Sequence, residues 1–158
     1  MRIISGRFKG TVLTSVGKGD ARAHLRPTTD RVRESIFNLL VNGAYGDPIS
    51  NVSVLDLFAG TGALGFEALS RGASFVRFVD NGRKAGSLIV QNAKTLLVQS
   101  EVELVQLDAL KLGFWKKEPF ALVFLDPPYG KEMGQLALSA ALAGGWLAED
   151  ALIVWEEN

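Results

Sequence analysis

Three apolar runs, each carrying or reaching an aspartate, constrain this chain more than any other feature. The first, Val52-Ser-Val-Leu-Asp-Leu-Phe58, holds Asp56 and enters Ala-Gly-Thr-Gly-Ala-Leu-Gly65; the second, Phe75-Val-Arg-Phe-Val79, ends at Asp80; the third, Val102-Glu-Leu-Val-Gln-Leu107, ends at Asp108. Strand-like runs alternating with helical spacing predict parallel strands joined by right-handed crossovers, in a sheet covered on both faces. Such open sheets bind ligands at the carboxyl ends of their strands. One aspartate there reads equally well as a helix cap or turn former. Three in register outline a candidate site.

Gly60, Gly62 and Gly65 fit G-x-G-x-x-G, whose glycines allow a tight turn, close approach to a ligand and close packing of helix on strand. Asp56 sets the sign of the ligand. A carboxylate at the mouth of a phosphate loop repels the pyrophosphate that the loop and helix N-terminus attract. S-adenosylmethionine carries a sulfonium and an ammonium and no phosphate, so this loop suits it better than NAD. Asp80, about twenty residues beyond Gly60, can accept both hydroxyls of a ribose.

The chain of 158 residues is expected to form a single domain, 1–158, with a basic segment over 1–43 and an α/β core over 50–158. No apolar run approaches the roughly 20 residues that span a bilayer, and Met1-Arg-Ile-Ile-Ser-Gly6 lacks the apolar core of a signal peptide. A cytoplasmic protein is expected. The absence of cysteine excludes disulfides, thiolate metal sites and the cysteine nucleophile of pyrimidine C5 methylation. G-x-x-x-x-G-K-[ST] is absent as well, which sets nucleotide hydrolysis aside. The single histidine, His24, reads as a loop residue.

Net charge is zero, yet residues 1–40 hold eight Lys and Arg against three Asp and Glu, and the remainder nine against fourteen. That asymmetry points to a polyanion-facing segment on an acidic body. Arg2-Ile-Ile-Ser5 and Thr11-Val-Leu-Thr-Ser15 predict a small hairpin bearing Arg2, Arg7 and Lys9 around Phe8, a pattern able to hold phosphates and stack on a base. Residues 17–27 read as a flexible loop able to close over a substrate. A helix is predicted from the Thr28-Thr29 cap to Gly43, with Val32, Ile36, Leu39 and Leu40 as its apolar stripe and Arg31 and Arg33 facing solvent or ligand.

Further on the pattern predicts strand 52–58, helix 63–71, strand 75–79, helix 84–97, strand 102–107, strand 121–125, helix 133–143 and strand 151–155. On the second of these helices Leu88, Ile89, Ala93, Leu96 and Leu97 read as core, and Asn92 as structural or as a contact behind the site.

The strand over 121–125 delivers Asp126-Pro-Pro-Tyr129 and Gly130. Proline fixes the backbone and has no N–H, so this is a rigid acceptor edge beside a carboxylate and an aromatic ring. An exocyclic base amine is a poor nucleophile because its lone pair is delocalised. Two acceptors on its hydrogens favour a pyramidal nitrogen, and Tyr129 can stack on the base. In isolation Asp-Pro-Pro is also ordinary turn chemistry.

Val54-Leu-Asp-Leu-Phe-Ala-Gly-Thr-Gly-Ala-Leu-Gly65 together with Asp126-Pro-Pro-Tyr129 resembles a class I S-adenosylmethionine-dependent amino-methyltransferase. More narrowly, Arg2-Ile-Ile-Ser-Gly6, Arg26-Pro-Thr-Thr-Asp-Arg-Val-Arg-Glu-Ser-Ile-Phe-Asn38 and Glu67-Ala-Leu-Ser-Arg-Gly-Ala73 resemble the RsmD family, which methylates guanine N2 in bacterial 16S ribosomal RNA. The resemblance covers nearly the whole chain and implies a Rossmann-like, doubly wound, mostly parallel sheet. It implies that Asp56, Phe58, Gly60, Thr61 and Gly62 cradle S-adenosylmethionine, that Asp80 binds its ribose, and that Asp108 and Ala109 approach its adenine. Asp126, Pro127, Pro128 and Tyr129 would hold the target guanine. Arg2, Arg7, Lys9, Arg26, Arg31 and Arg33 are the expected RNA contacts, with 16S RNA or the small subunit as partner, no metal, no membrane and a monomeric state.

Family members continue past the fifth parallel strand into an antiparallel pair, so a chain ending at Glu156-Glu-Asn158 is expected to be incomplete. Other readings stay open: an adenine-N6 or cytosine-N4 DNA methyltransferase, an NAD-dependent oxidoreductase, and a non-catalytic RNA-binding module for ribosome assembly.

Overall fold

A computed structural model describes residues 1–16, 25, 28–128 and 130–157. The loop expected over 17–27 lies largely outside them, and so do His24, Arg26 and Tyr129. Among the described residues four helices, α1 (Asp30–Asn42), α2 (Ala63–Ser70), α3 (Arg83–Leu96) and α4 (Met133–Ala143), accompany five strands, β1 (Ser53–Leu57), β2 (Phe75–Val79), β3 (Val102–Val105), β4 (Phe120–Leu125) and β5 (Leu147–Trp155). The strands form one sheet in the order β3-β2-β1-β4-β5, and every neighbouring pair is parallel. Each strand therefore delivers its carboxyl end to the same edge.

Alternation along the strands divides the core. Val54, Val76, Phe78, Leu122 and Phe124 pack under α1, α2 and α3 through Phe37, Leu40, Phe66, Ile89 and Ala93. Leu55, Leu57, Val79, Val123 and Leu125 face the other layer, where Ala137 and Ala141 of α4 meet them with Trp146. Among the described residues no helix is long and apolar enough to cross a membrane.

Most predicted boundaries hold, and the departures have local causes. The strand expected over 102–107 ends at Val105 because the Leu107 amide turns back onto the Val105 carbonyl. β5 starts earlier than expected, at Leu147, through an irregularity in its pairing with β4 between Phe120 and Leu122. The polar pair Glu149-Asp150 hides that extension from a reading by apolar runs. Leu97 is not core. It adopts a left-handed conformation that ends α3 and is 81 % exposed, while Val98 turns inward.

The N-terminal hairpin is reduced to one antiparallel bridge, Arg2 to Val12, with backbone bonds between Ile3 and Thr11 and between Gly10 and Ile3. The amides that would extend it are taken elsewhere. Ile4 and Ser5 donate to the Glu67 carboxylate, Arg7 donates to the Ser70 carbonyl, and Phe8 donates to the Ser70 hydroxyl. Backbone donors need partners, and here α2 supplies them.

α1 begins as predicted, with the Thr29 hydroxyl accepting from the Val32 amide. Its buried face keeps half of the predicted stripe, Leu40 buried and Ile36 partly buried against the core, and is rotated away from the other half. Arg33, Phe37 and Leu40 are buried, whereas Val32 is partly exposed and Leu39 is 70 % exposed. The rotation follows from Arg33, which enters the core to meet Glu67 at 3.3 Å.

Candidate active site

The glycine loop is shaped by conformations that few residues adopt. Phe58, Gly60 and Gly62 all have positive φ, at 56°, 59° and 82°. A non-glycine residue held there, as Phe58 is, marks a loop imposed by its surroundings. Gly62 is the N-cap of α2. Gly65 serves packing, since a Cβ added to it would lie 2.4 Å from the Phe78 ring and 2.8 Å from Val76. Close approach of α2 to β2 therefore requires glycine at this position.

The aspartates converge at the carboxyl edge. Asp56 is buried within β1 and accepts from the Gly65 amide at 3.0 Å. Asp80 follows β2 and holds the loop from the next strand, accepting from Gly60 at 2.9 Å and from Gly82 at 2.8 Å. Asp108 accepts from the Leu110 amide at 2.9 Å and caps a 3-10 turn, Ala109–Lys111. The turn-forming reading of these aspartates is correct as far as it goes. An ionised carboxylate has about four acceptor positions, so each retains capacity for a ligand.

Asp56, Asp80, Asp108 and Asp126 border one cavity of about 250 Å³, together with Phe58, Gly60, Thr61, Ala109 and Pro128. Gly62, the cap of α2, and Pro127, which is buried, are not among the residues that border it. Burial pushes the Asp56 carboxyl well above the usual carboxylate range; the Gly65 hydrogen bond opposes this, and the like charges of Asp126 and Asp80 add to it. Among the described residues no group of three or more acidic or histidine side chains is arranged to hold a metal ion. Convergent carboxylates around an open glycine loop fit a cationic, hydroxyl-bearing ligand, and they disfavour a pyrophosphate.

Several lining residues escaped the sequence reading. Asn81 follows Asp80, Leu107 precedes Asp108, and Lys131 and Met133 follow the Asp126 motif. Adjacency to a recognised aspartate was the available signal. Leu25 and Thr28 also reach the cavity, from the N-terminal segment; Leu25 belongs to the stretch 17–27 expected to reach a substrate, whereas the sequence reading singles out neither residue as part of a site. Asn92 is fully buried and joins this segment to the glycine loop. Its side-chain amide donates to the Thr14 and Thr61 carbonyls and accepts from the Thr14 amide.

The basic residues separate into groups. Arg2 is exposed and its amide donates to Asp30 at the start of α1, where Arg31 is exposed as well. Thr28, just before that helix, borders the cavity, but neither arginine lines it, and the Arg2 guanidinium donates to the Gly10 carbonyl at 3.2 Å. Arg7 and Lys9 sit in the turn fastened to Ser70, at the opposite end of α2 from the glycine loop. Eight helical residues separate them from it by about 12 Å of axis. Arg7 is also paired with Glu101 at 2.8 Å and stacked on Phe8, whose ring packs against the core instead of standing free for a base. Arg33 must be corrected outright. At 1 % exposure, bound to Glu67, Asp30 and the Arg2 carbonyl, it holds the fold together and offers no free cation to RNA.

The family described as Conserved hypothetical protein 95 matches residues 1–158. Ribosomal RNA small subunit methyltransferase D of Escherichia coli (strain K12) is 36 % identical over 158 residues, spanning 100 % of this chain and 75 % of that protein. The protein of the same name from Haemophilus influenzae is 39 % identical over 163 residues, covering 99 % and 78 %. The solved structure of Escherichia coli yhhF has a TM-score of 0.80 to this fold at 35 % identity, over 99 % of this chain and 80 % of that one. A family match along the whole length, relatives above 30 % identity and a shared parallel sheet agree: the chain belongs to the RsmD family of methyltransferases.

Proposed function

We propose that this chain methylates the exocyclic N2 amine of a guanine in small-subunit ribosomal RNA, with S-adenosylmethionine as methyl donor. The observation that carries the reading is the single cavity in which Asp126 and Pro128 meet Asp56, Asp80 and Asp108. S-adenosylmethionine supplies an electrophilic methyl group on a sulfonium. Asp56 and the glycine loop would hold its cationic part, Asp80 its ribose, and Asp108 with Ala109 its base. Asp126 accepts a hydrogen of the target amine, aligns its lone pair and takes the proton that transfer releases. The proline backbone supplies a second acceptor that does not move, and Tyr129 is the proposed stacking surface. A base paired in a helix must leave its stack to enter such a cavity. Arg2 and Arg31, both exposed, are the proposed contacts to the phosphates around it.

The test is transfer of labelled methyl groups from S-adenosylmethionine to unmodified small subunits, free small-subunit RNA and duplex DNA. Label on N2 of a ribosomal guanine is expected. Label on DNA alone would move the protein to the DNA-methylating reading, and RNA binding without label would make it a binding module.

Asp56 connects this reading to pH. A cation beside it favours its ionised form, so cofactor affinity should rise with pH through the range above ordinary carboxylate values and level off once Asp56 is ionised in the free protein. Stability of the free protein should follow the opposite course. With the folded carboxyl raised above its unfolded value, its stabilising contribution is complete below the ordinary pKa and is lost as pH rises through the raised one. Asp56→Asn should therefore abolish both slopes and melt no lower than wild type at neutral pH. It should bind the cofactor about 10- to 100-fold more weakly, the scale of one charge-assisted hydrogen bond. Calorimetric titration and melting across pH measure both. Unchanged affinity would remove Asp56 from the cofactor site.

A further inference from the structure

The cavity contains one charge of the wrong sign for its neighbours. Among the described residues that line it, Lys131 is the single basic side chain, against Asp56, Asp80, Asp108 and Asp126. It borders the same cavity as Asp126 and Pro128, which it follows closely in the chain, and it is exposed. No ion pair among the described residues engages it.

Its position is built by the backbone. Gly130 before it and Glu132 after it are both left-handed, at φ 71° and 53°, and α4 starts immediately at Met133, which also borders the cavity. Glu132 has a side chain, so this conformation costs about 1–3 kcal/mol and persists only where the surroundings fix it. The turn brings Lys131 and Met133 to the same cavity.

Resting on the guanine-N2 reading above, we infer that Lys131 donates a hydrogen bond to O6 of the target base and selects guanine over adenine. Guanine presents an acceptor, O6, and two donors, N1–H and the N2 amine, along its pairing edge. Asp126 and the proline backbone supply acceptors only, which satisfies the donors and leaves O6 unmatched. Lysine has three donors and no acceptor and is a common partner of guanine oxygen. Adenine carries an amine where guanine has O6, so the same ammonium meets a donor and rejects it. A site built around a substrate acceptor discriminates strongly, because the wrong base leaves a charged donor unpaired.

The test uses small-subunit RNA ligated to carry guanine or 6-thioguanine at the mapped target position and assembled into subunits. The sulfur analogue retains N1–H and the N2 amine and replaces O6 with a weak acceptor. Wild type should lose on the order of 10- to 100-fold in kcat/KM on 6-thioguanine, and Lys131→Met should lose a similar factor on guanine. The variant should lose nothing further on the analogue, the non-additivity expected of two groups in contact. The salt dependence of RNA binding should be unchanged, since a phosphate contact would lower its slope by about 1. Additive losses or a shallower slope would overturn the O6 assignment alone. If wild type labels no guanine, the methylation reading fails and takes this assignment with it.

Discussion

Asp126→Ala should lower the turnover of methyl transfer by about 10²- to 10⁴-fold, the usual contribution of a positioned acid or base, while cofactor affinity changes far less. The difference follows from position. Asp126 shares the cavity with Asp56 but follows directly on β4, the strand beside β1, and Pro128 and Lys131 after it border the same cavity. Its charge also opposes ionisation of Asp56, so removing it eases the ionised state that a cationic cofactor requires. Loss confined to the chemical step appears as reduced kcat with nearly constant cofactor binding. Asp126→Asn divides the role further, because the amide keeps one acceptor oxygen and cannot take up the released proton. Single-turnover rates and equilibrium titration on the same preparations provide the comparison. Equal losses in both would reassign Asp126 to holding the cofactor.

Glu67→Ala should have the largest effect on stability, about 3–5 kcal/mol, which is the cost of leaving a buried charge without its partner. Glu67 is fully buried and its two oxygens serve four donors. They accept from the Ile4 amide at 2.9 Å, the Ser5 amide at 3.1 Å, Arg33 at 3.3 Å and Arg71 at 2.9 Å. Truncation strands the Arg33 guanidinium, one of whose nitrogens, Nη1, is already buried with no partner among the described residues. It also releases the N-terminal segment from α2. At roughly 2–4 °C per kcal/mol for a chain of this size, the melting temperature should fall by on the order of 10 °C. The double variant Arg33→Met with Glu67→Leu should recover only the part of the loss due to the stranded guanidinium, because the Ile4 and Ser5 amides and Arg71 still lose their acceptor. A melting temperature within a degree or two of wild type for Glu67→Ala would show that this cluster contributes little.

Glu67 also shows why part of the molecule could not be read in advance. Within its own segment it is one charged residue in Ala63-Leu-Gly-Phe-Glu-Ala-Leu-Ser70, and its four donors come from positions 4, 5, 33 and 71. The reduced hairpin, the rotated face of α1 and the loss of Arg33 as an RNA contact all follow from this one buried carboxylate. Arg7 is similar. Its charge was legible, but its pairing with Glu101 and its attachment at the far end of α2 depend on contacts between distant segments.

The sequence by itself determined the parallel sheet, the glycine loop and the edge to which Asp56, Asp80, Asp108 and Asp126 belong. Those features rest on short-range periods of two and 3.6 residues and on the place of an aspartate relative to its own strand. Only the tertiary structure decided which charges are free and which are consumed. Arg33 meets Glu67 across 34 positions, Asn92 joins Thr14 to Thr61 across 78 and 31, and Lys131 reaches the cavity because two left-handed residues turn it there. A side chain's charge is written in its own residue, whereas its burial and its partner are properties of whatever the fold places opposite it.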